Sequence, residues 1–133
     1  MSNPLLLDIA QFIVSNGIAT ADGTDIFRDF TPENPDTLVA LHEYAGDPAS
    51  LYDSAVHRSV QISTRSKNAD TARQNAVLIF KALQEAQDES GKVQFTTTRW
   101  GQVYLRNTPV ALKIDENNCQ YYAFNIGITT TIE

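Results

Sequence analysis

The chain has 133 residues, enough for one compact core and too few for a second. Its 42% hydrophobic and 20% charged residues are a globular composition, which excludes a disordered segment. A formal net charge of −6 has the wrong sign for gripping nucleic acid through its phosphates, and one cysteine, Cys119, excludes an internal disulfide.

Met1-Ser2-Asn3-Pro4 carries no basic residue, and Asp8 and Gln11 break the apolar run that follows. Neither a signal peptide nor a membrane span is therefore expected. Asn3 suits an N-cap and Pro4 a first helical position, where the missing N–H costs nothing. Leu5, Leu6, Ile9, Phe12 and Ile13 recur at helical spacing until Asn16-Gly17 supplies a stop, which predicts a helix over 4–15. Leu7, Ala10 and Val14 widen its apolar stripe.

A stretch punctuated by Gly23, Pro32 and Pro35 surrounds a short strand-like piece, Asp25 to Arg28. Thr37 to Tyr44 reads as a strand, apolar on both faces at first, and a loop over 45–52 follows. Over 56–64 the alternation predicts a strand with Val56, Arg58, Val60, Ile62 and Thr64 on one face, where Arg58 breaks the apolar pattern. Asn68 or Asp70 then caps a helix ending near Gln87, with the stripe Ala72, Ala76, Ile79, Phe80 and Leu83; its small alanines predict close packing on a sheet.

Val93 to Leu105 reads as a strand pair or one bent strand, with Gly101 as its kink or bulge. Pro109 opens a strand running to Ile114, residues 115–118 form a hairpin turn, and Gln120 to Ile132 alternates regularly as the final strand. The order helix, strands, helix, strands predicts an α+β domain spanning 1–133 with helices packed on one face of its sheet.

Catalysis needs a convergent nucleophile or base with an orienting partner. His42-Glu43 and His57-Arg58 sit on predicted strands, where adjacent side chains point to opposite faces, so both histidines read as rim residues. Two histidines and one cysteine without ligand spacing give no zinc signature, and Asp22-Gly23-Thr24-Asp25 lacks the later ligands of a calcium loop. No phosphate-cradling glycine motif occurs, so neither an enzyme nor a cofactor is expected. Trp100, Tyr104, Arg99 and Arg106 could stack bases, but in an acidic chain Trp100 reads better as a core or subunit-interface residue, and Cys119 as a small core hydrophobe.

Three segments in order carry a resemblance. The first is Asn34-Pro35-Asp36-Thr37-Leu38-Val39-Ala40-Leu41-His42-Glu43-Tyr44-Ala45-Gly46-Asp47-Pro48, a Pro-Asp turn, an apolar strand and a glycine-containing loop. The second is Val60-Gln61-Ile62-Ser63-Thr64-Arg65-Ser66-Lys67, running directly into the helix that starts at Asn68. The third is Pro109-Val110-Ala111-Leu112-Lys113-Ile114-Asp115-Glu116-Asn117 before an aromatic strand. In this order they resemble the tail-terminator or minor capsid (tail-completion) proteins of long-tailed phages, over most of the chain. Ala45 departs from the first glycine usual in the loop, and residues 88–92 match nothing diagnostic.

The resemblance implies a mixed or antiparallel sheet flanked by helices. It also implies a virion protein, assembled in the host cytoplasm, that closes the tail tube at the neck. Its partners would be further copies of itself in a ring, typically a hexamer, the tail-tube protein and the head connector. No specific nucleic acid and no membrane enter the reading; an acidic bore would let DNA pass without gripping it. Interface candidates are Phe27, Phe30, Leu51 and Tyr52, apolar side chains on long loops. Two rival readings are a head-completion (stopper) ring protein and a small dimeric ligand-binding regulatory domain.

Overall fold

A computed structural model describes residues 4–20, 22–44, 55–95 and 100–131. Helix α1 spans Pro4–Ser15, as its periodicity predicts. It buries Leu5, Leu6, Ile9, Ala10 and Ile13. Gly17 ends it at φ +76, with Ile18 N–H donating to Ile13 O at 3.3 Å and Gly17 N–H to Val14 O at 3.0 Å. That pair of bonds is a Schellman cap, and its left-handed residue favours glycine. The expected cap at Asn3 lies outside the described residues.

The strands are β1 (Ile26–Arg28), β2 (Leu38–Tyr44), β3 (Ala55–Ser66), β4 (Lys92–Gln94), β5 (Trp100–Leu105), β6 (Val110–Ile114) and β7 (Gln120–Thr131). They form one seven-stranded sheet in the order β1-β2-β3-β7-β5-β4, with β6 paired to β7. β1 runs parallel to β2 and every other pairing is antiparallel, so the sheet is mixed. β3 and β7 form its spine, paired from Ala55↔Thr131 to Ser66↔Gln120. On its other side β7 takes two strands in tandem, β5 against its second half and β6 against its first. Asn125 N–H spans the break between them by donating to Asn107 Oδ1 at 2.9 Å.

Helix α2, Ala69–Ala86, settles the alternative caps in favour of Asn68, whose side chain accepts from Asp70 N–H at 2.9 Å and Thr71 N–H at 3.3 Å. Asp70 sits in the first turn, where its charge meets the positive end of the helix dipole. Ala72, Ala76, Ile79 and Leu83 are buried, and the Thr64 hydroxyl donates to Ala72 O at 2.6 Å. Phe80 is half-buried and packs edge-on against Phe124, centroids 5.4 Å apart.

The main core lies between the helices and one sheet face. Leu6, Ile9 and Ile13 meet Ile26, Val39 and Leu41, while Ile79 and Leu83 belong to the same cluster with Ile62, Phe124 and Ile126. Burial of each such side chain contributes about 1.5–3 kcal/mol. Gly101 corrects the expected kink: it sits in regular register inside β5, opposite Val93. Its reason is packing, since a Cβ there would come within 2.7 Å of Ile128 Cγ2 and 3.3 Å of Phe95 Cε2.

Candidate assembly surface

Among the described residues the far face of the sheet bears no helix, yet Ser59, Ser63, Arg65 and Ser66 of β3 are buried on or beside it. Short side chains account for part of this, because Ser63 stands between its cross-strand partners Ala40 and Ala123. Arg65 has a different cause. Its guanidinium donates to the carbonyls of Pro32 (2.8 Å), Glu33 (3.0 Å), Asp36 (3.1 Å) and Pro35, and to the Tyr121 hydroxyl (3.2 Å). Five N–H donors in a rigid planar fork make arginine the residue for such a site; a lysine ammonium could not span it. Asn34–Pro35 within the gripped loop is cis. Two of the sequence segments singled out above therefore meet in space: the arginine of the second is the clamp on the Pro-Asp turn of the first.

The third segment joins them. Asp115 accepts from Cys119 N–H and Asn117 N–H, both at 2.9 Å, and from the Tyr121 hydroxyl at 3.2 Å. The Cys119 N–H, helped by Asn117 and Tyr121, holds the Asp115 carboxyl below the ordinary carboxylate value. Asn118 completes the turn at φ +62, a conformation asparagine tolerates. Burial pushes the Cys119 thiol up, and the neighbouring Asp115 and Asp36 push it the same way, so it is a core residue, as expected, and not a ready nucleophile.

The interface candidates separate. Phe27 is only 7% exposed, packed with Leu38 and Ala40, which corrects its reading as a displayed residue; it lies on β1, whose pairing with β2 carries it under the loop. Phe30 is 57% exposed and stands edge-on to Phe27 with centroids 5.5 Å apart. Leu51 and Tyr52 lie outside the described residues.

Three exposed apolar features stand out, two of them unforeseen by sequence reasoning. All of β6 is exposed, with Val110, Leu112 and Ile114 on an edge strand. Alternation was present there, but nothing in the sequence told that one flank would pair with no strand among the described residues. Of the two readings of Trp100, core or subunit interface, exposure removes the first: it is exposed on the same strand as Tyr104, with Lys92 Nζ 4.4 Å from its ring centroid. A groove of about 520 Å³ between the end of α1 and the outer side of α2 is lined by Phe12, Ile18, Leu78 and Ala82, with Lys81 and Glu85 at its rim.

The histidines are held by hydroxyls. His42 Nε2 lies 3.1 Å from Thr31 Oγ1, and His57 Nδ1 lies 2.7 Å from Thr129 Oγ1. His42 and Glu43 diverge as strand geometry requires, and Glu43 instead forms a two-pronged ion pair with Arg58 at 2.6 and 2.7 Å. The charge that interrupted the apolar face of β3 is thus neutralised by its cross-strand neighbourhood. Among the described residues no group of three or more His, Cys, Asp or Glu could hold a metal ion, and no helix is long and apolar enough to cross a membrane.

Comparison with known proteins places this geometry. A family model described as "Bacteriophage tail terminator protein" matches residues 12–132. The fold is similar to a chain in the structure "Virion of native gene transfer agent (GTA) particle", with a TM-score of 0.61 and 15% identity, over 93% of this chain and 92% of that one. The sequence matches no curated protein.

Proposed function

The chain belongs to the bacteriophage tail terminator family, and on that premise we propose that it forms a ring at the head-proximal end of the tail tube, stops tube growth and joins tail to head. It is a structural, non-enzymatic protein of the phage virion. The observation that carries the ring reading is β6. An edge strand with Val110, Leu112 and Ile114 at 50%, 48% and 62% exposure is a template for unwanted pairing unless assembly covers it. A ring uses one surface of each copy against a different surface of the next, a contact that closes on rotation. The net charge of −6 supports a bore through which DNA slides without being gripped.

Electron microscopy of particles lacking the gene tests this directly. Abnormally long tails, or tails without heads, are expected. Tails of normal length joined to heads would overturn the proposal. Native mass spectrometry of the protein, alone at high concentration and on purified tube, gives the ring number, expected to be six by analogy with the family. Copies that associate weakly in dilute solution would close only on the tube end.

A further inference from the structure

We infer that neighbouring copies join by seating the Arg65-braced loop of one, led by Phe30, on the aromatic and basic sheet patch of the next, built from Lys92, Trp100, Tyr104 and Arg106; this rests on the ring reading and names one contact in it, separate from the β6 edge. Both halves lie on this chain, and among the described residues Phe30, Trp100 and Tyr104 are exposed. The loop displays Phe30 with Asp29 and Glu33, while Asp36 is paired with Lys67 at 3.6 Å, and Glu116 stands nearby across the cleft that Arg65 and Tyr121 line. Arg65 fixes four successive or near-successive carbonyls of that loop, so most of the ordering cost of binding is met before the partner arrives.

The patch has the composition of a binding hot spot: Trp100 is 44% exposed, Tyr104 is 51% exposed, and two cations flank them. Gly127 lets the Arg106 guanidinium lie against the sheet, since a Cβ there would meet Nη2 at 2.7 Å. Lys92 stands over the Trp100 ring. The nearby Asp88 is turned to its own loop, accepting from Ser90 N–H at 2.9 Å and Lys92 N–H at 3.0 Å. Acidic groups around a phenylalanine thus face basic groups around a tryptophan and a tyrosine, which is charge complementarity with an apolar centre.

The two halves cannot meet within one chain. The loop is clamped where Arg65 pairs with Tyr121, and the patch stands where Tyr104 and Gln102 pair with Gly127 and Thr129. At about 3.4 Å per residue these lie some 20 Å or more apart along β7. Because the two surfaces differ, their contact is head-to-tail, the kind that generates rings.

Single-cysteine variants Phe30→Cys and Tyr104→Cys, mixed and assembled on tail tube, test the contact; the native Cys119 is buried. A disulfide between the two variants, and a ladder up to the full ring from the double variant, are expected. Lys92→Glu with Arg106→Glu should weaken assembly about thirtyfold without moving the melting temperature, and adding Glu33→Arg with Glu116→Arg should restore it. Wild-type rings that form while both tests are negative overturn this contact and leave the ring reading standing. Absence of any ring, with tails of normal length joined to heads when the gene is deleted, overturns the ring reading and this contact with it.

Discussion

Arg65→Ala removes one side chain and releases an entire loop. Arg65 is 4% exposed, and its guanidinium serves the carbonyls of Pro32, Glu33, Pro35 and Asp36 together with the Tyr121 hydroxyl. A hydrogen bond from a charged donor is worth about 1.5–3 kcal/mol net. Simple addition over these bonds overshoots, because the freed loop is largely exposed and water replaces part of what is lost. A loss of about 3–5 kcal/mol is the expected figure, close to that for removing one member of a buried charged network. At about 2.1 cal/mol/K per residue of unfolding entropy, this lowers the melting temperature by roughly 10–18 °C. Arg65→Lys keeps the charge but not the fork, and should recover less than half. Circular dichroism melts with urea titrations measure both, and Arg73→Ala on the exposed side of α2 is the control, expected within about 0.5 kcal/mol of wild type. An Arg65→Ala loss below about 1 kcal/mol would refute the clamp as a source of stability.

Three further outcomes follow from packing and charge. Phe80→Ala should cost about 3 kcal/mol, at the low end for a phenylalanine because Phe80 is half-buried, while exposed Gln74→Ala is near neutral; equal urea midpoints would contradict the helix phase. Gly101→Ala should cost about 1–3 kcal/mol, since its Cβ strikes buried Ile128, whereas Gly127→Ala should cost less because it displaces only the flexible head of Arg106; thermal melts rank the two. Asp115 and Asp88 have carboxyls held below their ordinary values by backbone N–H donors, chiefly those of Cys119 and Lys92 respectively. Their contribution is therefore complete above the ordinary carboxylate value of about 3.9 and is lost as pH falls through the lower folded value. The stability gap between wild type and Asp115→Asn should be present at about pH 6 and close toward about pH 2, as read from urea midpoints.

The helices were legible in the sequence to within a residue or two because their signals are local. Apolar spacing, a glycine at the end of α1 and an Asn-x-Asp start for α2 all act within one or two turns. Strand existence was legible for the same reason, but strand environment was not. Alternation in Val110 to Ile114 resembles that of a half-buried strand, and its exposure depends on which strand takes the other flank of β7. Arg65 was recognisable as part of a motif; its task was not, because its partners lie about thirty residues upstream. Phe27 and Phe30 share a loop-rich stretch and similar chemistry, and only the pairing of β1 with β2 buries one and leaves the other out.

The tandem arrangement along β7 divides its outward edge between two strands. Residues Gln120 to Ala123 are bonded outward to β6, and Ile126 to Thr129 to β5, while β3 backs the whole rail. Peeling β6 away breaks its own ladder and leaves β5 and β3 in place. The first half of β7 would then present a vacant edge, open to a strand from another molecule, with the fold otherwise intact. Amide exchange reads this as two protection classes on one strand, faster at the outward-facing amides near Tyr121 than near Ile128. A member of the tail terminator family built in this way would offer a guest strand the first half of β7 whenever β6 left it.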